Sequence, residues 1–554
     1  GGVVTINGGD GTDTLKFDDS GNNALVLTAP EVSQISSIES LVLDSGTATS
    51  AVTFGNEAMT NNGGVFNITT NDGAGATTID ASAVSNGVIN VTSDNSNAST
   101  DILYGGSGDD TFKFGLNGLA DGDTINGFGG NDTIILNAAD GGNVTAVIDF
   151  ADTKNIEKVT TANSPTTGLD THTVTLNIVT ATPAALNAGA LEVDFSGLVN
   201  STVGGATFNG TTVTDSKVNF TITGSSKSDT LTGSAGNDII SAGGTLVADS
   251  ITGGAGNDEL NGASGNDTLK GGTGNDNITG NAGADSIDGG DGNDVIIGGD
   301  GIDTIDGEGG ADTITLGAGN DIVEYDAAAD STGSLKDNIT DFTQSTINAV
   351  TTDTVTKGDS ININFGTLAD NAILTLSDKG DVANAGLAGA AIDGVMGSFV
   401  FAVDSSTIYL DLNGDGLLNA SDLQITTDGL TTFHSNDINV IVTAGGQGEA
   451  ITGGNGDDSI TGGAGADTLT GGYGDDVIAG GAGVNVLSGG GGADTITDTT
   501  GNATITGGAG ADTITGGADV DSITAGTGDD LIDLSGIKVL ANRDIITDFE
   551  DEGD

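Results

Sequence analysis

The 554-residue sequence has no cysteine, no tryptophan and only two histidines, and it sets 12 basic residues against 79 acidic ones. Without cysteine there is no disulfide staple and no thiolate metal site. The absence fixes no compartment, because disulfides are optional even in oxidising ones. A formal charge of −67, with Arg543 the single arginine, makes the chain a polyanion that repels itself, nucleic acids and anionic lipid headgroups. Nucleic-acid binding is therefore excluded. No apolar run reaches the length of a membrane span, so the chain is expected not to be membrane-spanning, and no signal peptide is apparent. The opening "GGVVTINGG" lacks an initiator Met and reads like the middle of a repeat. The chain is accordingly read as part of a longer protein.

Catalytic signatures are also missing. There is no HExxH, no GxSxG elbow and no Walker A loop. His172 in "DTHTVT" alternates with threonines and reads as a surface strand residue. His434 and Ser435 lie beside Asp437, but sequence neighbours rarely have triad geometry, so a polar turn is expected there. Carboxylate pairs occur everywhere and single out no glycosidase site. The expectation is that the chain is not an enzyme.

What the sequence does have is glycine, 96 residues of it, and periodicity. Acidic, Gly-rich composition often means disorder, but here aliphatic residues recur at fixed intervals. Asp258, Asp267, Asp276, Asp285, Asp294, Asp303, Asp312 and Asp321 follow one another at nine-residue steps. Two residues after each comes Leu260, Leu269, Ile278, Ile287, Ile296, Ile305, Ile314 or Val323. The unit is GGxGxDxUx, where U is a large aliphatic. A short x-U-x strand can point its aliphatic inward, and the GGxGxD turn reverses the chain. Glycines reach the positive-φ conformations that let successive carbonyls face one point. Hard divalent cations such as Ca²⁺ take six to eight oxygens, which carbonyls and carboxylates supply. One aliphatic in nine residues falls short of the cost of ordering the backbone, and stacked carboxylates add repulsion. Many bound Ca²⁺ ions are expected to supply the missing stability.

This unit resembles the calcium-binding nonapeptide of RTX (repeats-in-toxin) proteins. The resemblance implies a parallel β-roll in which two units make one coil, Asp n stacks on Asp n+18, and calcium sits between adjacent turns. A first array occupies 224–324, beginning irregularly with "GSSKSDTLT" and "GSAGNDIIS" and carrying a two-residue insertion near Val247. It adds Asp238 to the expected ligands. A second array occupies 444–533 and adds Asp458, Asp467, Asp476, Asp494, Asp512, Asp521 and Asp530. With stacking partners eighteen apart, one edge of the second array reads Asp458, Asp476, Asp494, Asp512, Asp530. The other reads Glu449, Asp467, Asn485, Ala503, Asp521. A full ladder of ions is expected along the first edge and a gap at Ala503 along the second.

Between the arrays, 325–443 is a β-rich insert holding "DLNGDGLLNASD". Asp411, Asn413, Asp415, Asn419 and Asp422 take positions 1, 3, 5, 9 and 12 of an EF-hand-type calcium loop, with Gly416 at position six. A preceding strand and the Asp at position twelve make it more dockerin-like than a helix–loop–helix. Both arrays leave through one phrase, "DNITDF" at 337–342 and "DIITDF" at 544–549, so 534–554 reads as the start of a further insert.

The N-terminal part holds a longer duplication, 1–104 and 105–223. Its single repeat turns recur 119 residues apart (Asp13 to Asp132, and Asp110 to Asp229), and Glu39 matches Glu157. Asp13, Asp110 and Asp132 are expected metal ligands, whereas Glu39 and Glu157 are expected to bond backbone amides. Alternation of single turns with phrases such as "IESLVL" and "EVDFSGL" resembles calcium-dependent bacterial surface-layer (S-layer) proteins. The fold class expected is all-β, an elongated parallel β-roll or β-solenoid with calcium turns and β-rich inserts. The function implied is a secreted, calcium-folded structural protein of the bacterial cell surface, exported by type I secretion, whose partner is itself in a lattice or filament. Cell-surface polysaccharide, bound through a region outside this chain, is a further expected partner. The alternatives are the stalk of a large RTX adhesin and the calcium-binding carrier of a secreted enzyme.

Overall fold

Alternation of one inward residue with outward neighbours predicts short strands, and strands are nearly all that the structure contains. The computed structural model describes residues 6–18, 25–44, 49–56, 58, 64–70, 76–85, 87–93, 100–114, 123–137, 144–149, 153–162, 174–179, 190–198, 205–244, 246–325, 337–341, 448–454, 456–533 and 544–547, with strand backbones between 346 and 443. Helix is scarce among these residues; Ala29–Val32 is a single turn, opened by a Thr28–Glu31 capping box. No helix of the described residues is long and apolar enough to cross a membrane. Two compact units are present, Gly1–Asn281 and Ala282–Asp554.

In the first unit, successive strands alternate between parallel ladders. One ladder starts at Thr14–Asp18 and passes through Ser40–Asp44, Val65–Thr70, Val88–Thr92, Thr111–Phe114, Thr133–Asn137, Lys158–Ala162, Ala190–Asp194, Asn219–Thr223 and Ile239–Ser241 to Glu259–Asn261. Strands lying between these in sequence form a second set. Leu25–Leu27, Ser50–Thr53, Thr77–Asp80, Ile102–Tyr104, Thr124–Asn126 and Thr153–Lys154 pair in that order. Val144–Asp149, Val174–Val179, Ala206–Asn209, Thr230–Thr232, Ser250–Ala255 and Thr268–Thr273 form another run. Each coil thus gives one strand to each side, as in a β-solenoid. The β-rich stretches before residue 224 are coils of this same kind.

Coil length decides what fills the interior. Leu260 pairs with Ile278, eighteen residues on, and one aliphatic per strand closes that core. Thr14 pairs with Ser40, twenty-six residues on, and Thr111 with Thr133, twenty-two on. These longer coils enclose more volume and fill it with rings. Phe54 and Phe66 meet edge to face at 5.0 Å, Phe208 and Phe220 at 5.2 Å, and Phe112, Phe114 and Phe195 are fully buried.

The second unit has the same ladders. Ile451, Leu469, Leu487, Ile505 and Ile523 stack in register on one side. Ile460, Ile478, Ile496, Ile514 and Ile532 stack on the other. The insert does not interrupt the ladder. Ile322–Tyr325 pairs with Ser360–Thr367, which pairs with Ile438–Thr443, which pairs with Ser459–Thr461, all in parallel. Ser398–Ala402, Thr407–Asp411 and Leu423–Thr427 form an antiparallel meander beside it, and Leu423–Thr427 pairs in parallel with Asp337–Ile339. Strands therefore flank the "DLNGDGLLNASD" loop on both sides. Asp411 ends the first of them, while Asn413, Asp415, Asn419 and Asp422 lie outside the described residues, as do His172 and His434.

Candidate metal centre

The turns between strands are joined by a repeated contact. In the first unit the backbone N–H of Asp249 donates to Oδ1 of Asp267 at 2.8 Å, and that of Asp258 to Oδ1 of Asp276 at 2.7 Å. In the second unit Asp285 donates to Asp303, Asp294 to Asp312 and Asp303 to Asp321, at 2.7–2.9 Å. Asp458, Asp476, Asp494 and Asp512 each donate to the aspartate eighteen residues on, ending at Asp530. Each aspartate is thus a rung whose Oδ1 holds the preceding coil. These side chains are buried, most of them 2 % exposed or less.

Beside this inner ladder runs an outer one of opposite sense. The residue just before the aspartate, often Asn or Asp, accepts from the equivalent N–H one coil later. Asn237 accepts from Asn257, Asn257 from Asn275, Asp457 from Asp475, and Asp475 from Ala493. This explains a preference at the fifth turn position that reading the sequence for metal ligands alone missed.

The second carboxylate oxygen is what the turns leave over. Oδ2 of Asp249, Asp258, Asp303, Asp476, Asp494, Asp512, Asp521 and Asp530 is buried and accepts no hydrogen bond. A Cβ built on the leading glycine of the turn would fall on that oxygen and on a carbonyl one coil away. For Gly262 these are Asp267 Oδ2 at 2.7 Å and the Gly280 carbonyl at 3.0 Å. For Gly289 they are Asp294 Oδ2 at 2.8 Å and the Gly307 carbonyl at 2.9 Å. Only glycine leaves this small, oxygen-lined cradle open. Gly254 and Gly256, at φ of +119° and +117°, turn the backbone in the left-handed region that L side chains avoid. Among the described residues no three His, Cys, Asp or Glu side chains gather at one point, so a cation here draws most of its ligands from carbonyls. An all-oxygen cradle with buried carboxylates fits Ca²⁺.

Burial raises the pKa of these carboxylates, because the charged form loses its solvation. Asp258 is pushed up to about 7 by burial, against the Asp238 N–H it accepts and with the charges of Asp238 and Asp276 adding to the rise. Asp476 rises to about 8 by burial, with Asp494, Asp457 and Asp475 adding charge repulsion. Asp303, Asp494, Asp512 and Asp521 rise to about 6, again chiefly by burial.

Outside the regular turns, the rung persists with other partners. Asp13 N–H donates to Glu39 Oε2 at 2.8 Å, and Asp132 N–H to Glu157 Oε2 at 2.7 Å, so both glutamates bond backbone amides as expected. Asp110 donates to Asp132 Oδ1. Both oxygens of Asp110 accept a hydrogen bond, Oδ1 from Ile89 N–H and Oδ2 from Gly106 N–H. Asp238 is also satisfied on both oxygens, by Phe220 N–H and by the N–H and hydroxyl of Ser234.

Several rungs escaped the sequence reading. Asp229 and Asp249 belong to the first array, and counting nines across the two-residue insertion would have found them: Asp229 donates to Asp249 and Asp238 to Asp258. Asp337 and Asp544, the first residues of the two exit phrases, accept from Asp312 and Asp521. Their spacings of 25 and 23 carry no periodic signal. On the second edge of the later array, Glu449 donates to Asp467, Asp467 to Asn485 Oδ1, and Ala503 to Asp521, so the break falls at Ala503.

A family model described as the RTX calcium-binding nonapeptide repeat matches residues 95–141, 221–245, 248–331 and 443–532, in overlapping segments. The chain carries RTX calcium-binding repeats. These RTX stretches cover both arrays and the single turns of Asp110 and Asp132, whereas the turn of Asp13 lies outside them. RTX repeats bind Ca²⁺, and the buried aspartates of the turns fit multiple calcium sites. No curated protein matches the chain.

Proposed function

We propose that this chain is a secreted, calcium-folded structural protein of the bacterial cell surface that assembles into an S-layer or similar lattice, and that it has no catalytic role. The observation that carries this reading is the continuity of the scaffold within each unit. Single RTX turns, β-rich stretches and the insert strands of 360–367 and 438–443 all serve as coils of the ladders. A protein that spends its side chains on coil stacking and calcium rungs is suited to bearing load. The calcium requirement also suits type I export, since a polyanion stays extended where calcium is scarce and folds outside.

The test is electron microscopy of purified full-length protein with millimolar calcium and after chelation. Sheets or filaments that form with calcium and dissolve without it support the lattice. Particles that stay monomeric at high concentration in calcium refute it and favour the adhesin-stalk or enzyme-carrier reading.

A further inference from the structure

One turn of the second array departs from the repeat in two places at once. In 498–503, "DTTGNA", the two leading glycines are replaced by Asp498 and Thr499, and the rung aspartate by Ala503. The turn one coil earlier, 480–485, carries Asn485 where its neighbours carry aspartate.

These changes are spatially matched. Asn485 is fully buried, and its Oδ1 accepts the Asp467 N–H at 3.0 Å, which is the ordinary rung contact. That contact orients the amide. Nδ2 must then stand where the aspartates present their second oxygen, and it donates to Asp498 Oδ1 at 2.8 Å. Asp498 is 3 % exposed. A Cβ on Gly480, the counterpart of Gly262, would meet Asp498 Oδ1 and, at 3.0 Å, Asn485 Nδ2. The cradle that holds a carboxylate oxygen and a carbonyl in other turns is here filled by an amide and its acceptor, and Asp498 Oδ2 lies buried beside them without a hydrogen bond.

The carbonyl supply is altered as well. The Gly481 carbonyl accepts the N–H of Thr499 at 3.0 Å, the N–H of Thr500 at 3.3 Å, and the Thr499 hydroxyl. The equivalent Gly463 carbonyl one coil earlier takes the single N–H of Ala482. Three donors use up the lone pairs of that carbonyl, and an N–H₂ group facing the cradle repels a cation.

We propose that the rung between turns 480–485 and 498–503 closes without calcium. The carboxylate missing at Ala503 has been moved to Asp498, where it accepts from Asn485, and the Thr499 side chain clamps the next carbonyl. This rung holds two coils together at calcium concentrations that empty its neighbours.

The test uses the full chain. Bound calcium is counted by native mass spectrometry for the wild type, Asp498→Asn and Asn485→Asp. Asp498→Asn keeps an oxygen for Asn485 and is expected to leave the ion count unchanged; loss of one ion would make Asp498 a calcium ligand and overturn the proposal. Asn485→Asp places two carboxylates face to face, and is expected to add one ion and raise the free calcium needed for folding several-fold. An unchanged count together with an unchanged calcium requirement refutes the proposal. Hydrogen exchange on the wild type gives a check independent of variants. As calcium is withdrawn, 480–504 should keep protection longer than 453–477, and equal or earlier loss overturns the idea.

Discussion

Asp476 puts its two oxygens to different uses. Oδ1 accepts the Asp458 N–H at 2.8 Å, and Oδ2 is left for the ion. Asp476→Ala should therefore cost about 1–3 kcal/mol for the orphaned N–H alone, with the lost ligand added to it. The expected outcome is a lower melting temperature in saturating calcium and a higher calcium midpoint by circular dichroism. Asp476→Asn, which can still accept the N–H, should recover most of the first loss and little of the second. The same oxygens set the pH behaviour. Asp258 at about 7 and Asp476 at about 8 bind protons more tightly in the calcium-free fold than the ordinary 3.8 of an unfolded aspartate. Protonation thus favours the calcium-free fold fully below about pH 4, and that contribution is lost as pH rises through about 6 to 8. Calcium displaces those protons. In the calcium-free chain β-structure should therefore grow as pH falls from 8 towards 4, and calcium added to that acid-folded form should release protons and acidify the solution. Circular dichroism of the calcium-free chain that stays flat across this range would contradict the burial of these carboxylates. At this scale the sequence was legible wherever nine-residue spacing held. Asp498 was not, because a carboxylate moved five positions along the same turn looks like a lost glycine rather than a relocated ligand.

At the scale of the element, the strand is too short to be stable alone, and its stability comes from the ladder above and below it. Ile496 lies fully buried between Ile478 and Ile514. Ile496→Ala should cost about 2–5 kcal/mol, read from denaturant unfolding in calcium, whereas the exposed neighbour Thr495 should tolerate alanine. The turns differ among themselves in how much they ask of calcium. In those of Asp229 and Asp238 the oxygen that Asp258 leaves bare, Oδ2, accepts the N–H of Ser225 or Ser234; the Ser234 hydroxyl joins it on Oδ2 of Asp238, and the Ser225 hydroxyl bonds Oδ1 of Asp229. Ser225→Ala combined with Ser234→Ala should make hydrogen exchange in 219–241 markedly faster at low calcium and change it little at saturating calcium. An equal change in both conditions would mean that the serines only pack. Strand existence could be read from the x-U-x pattern, and the arrays from their spacing. The coils before residue 224 could not be read as coils, since their lengths vary and the partner of an aspartate is sometimes Glu39 or Glu157. Bonding there follows backbone register, which leaves no mark at a fixed interval.

For the whole molecule, the charge of −67 is the dominant fact. Chelation should leave the arrays largely coil by circular dichroism, and millimolar calcium should restore β-structure, as expected where ion binding and folding are one equilibrium. A β-roll persisting at nanomolar free calcium would refute this. The family of calcium turns and the all-β class were open to a reader of the sequence; the threading of the insert through the ladder was not, because pairing of Ile322–Tyr325 with Ser360–Thr367 spans residues that carry no repeat. The ladders of the second array also limit how such a molecule can change length. Odd and even nonapeptides feed opposite sides, so removing nine residues, 468–476, would rotate everything downstream by half a coil. Asp467 would then face Asp494 in place of Asn485. Removing eighteen residues would keep every later side chain on its own side. Such a chain can be lengthened or shortened without relearning its surface only in pairs of repeats, and the outward faces inherit the arithmetic of the inward ones.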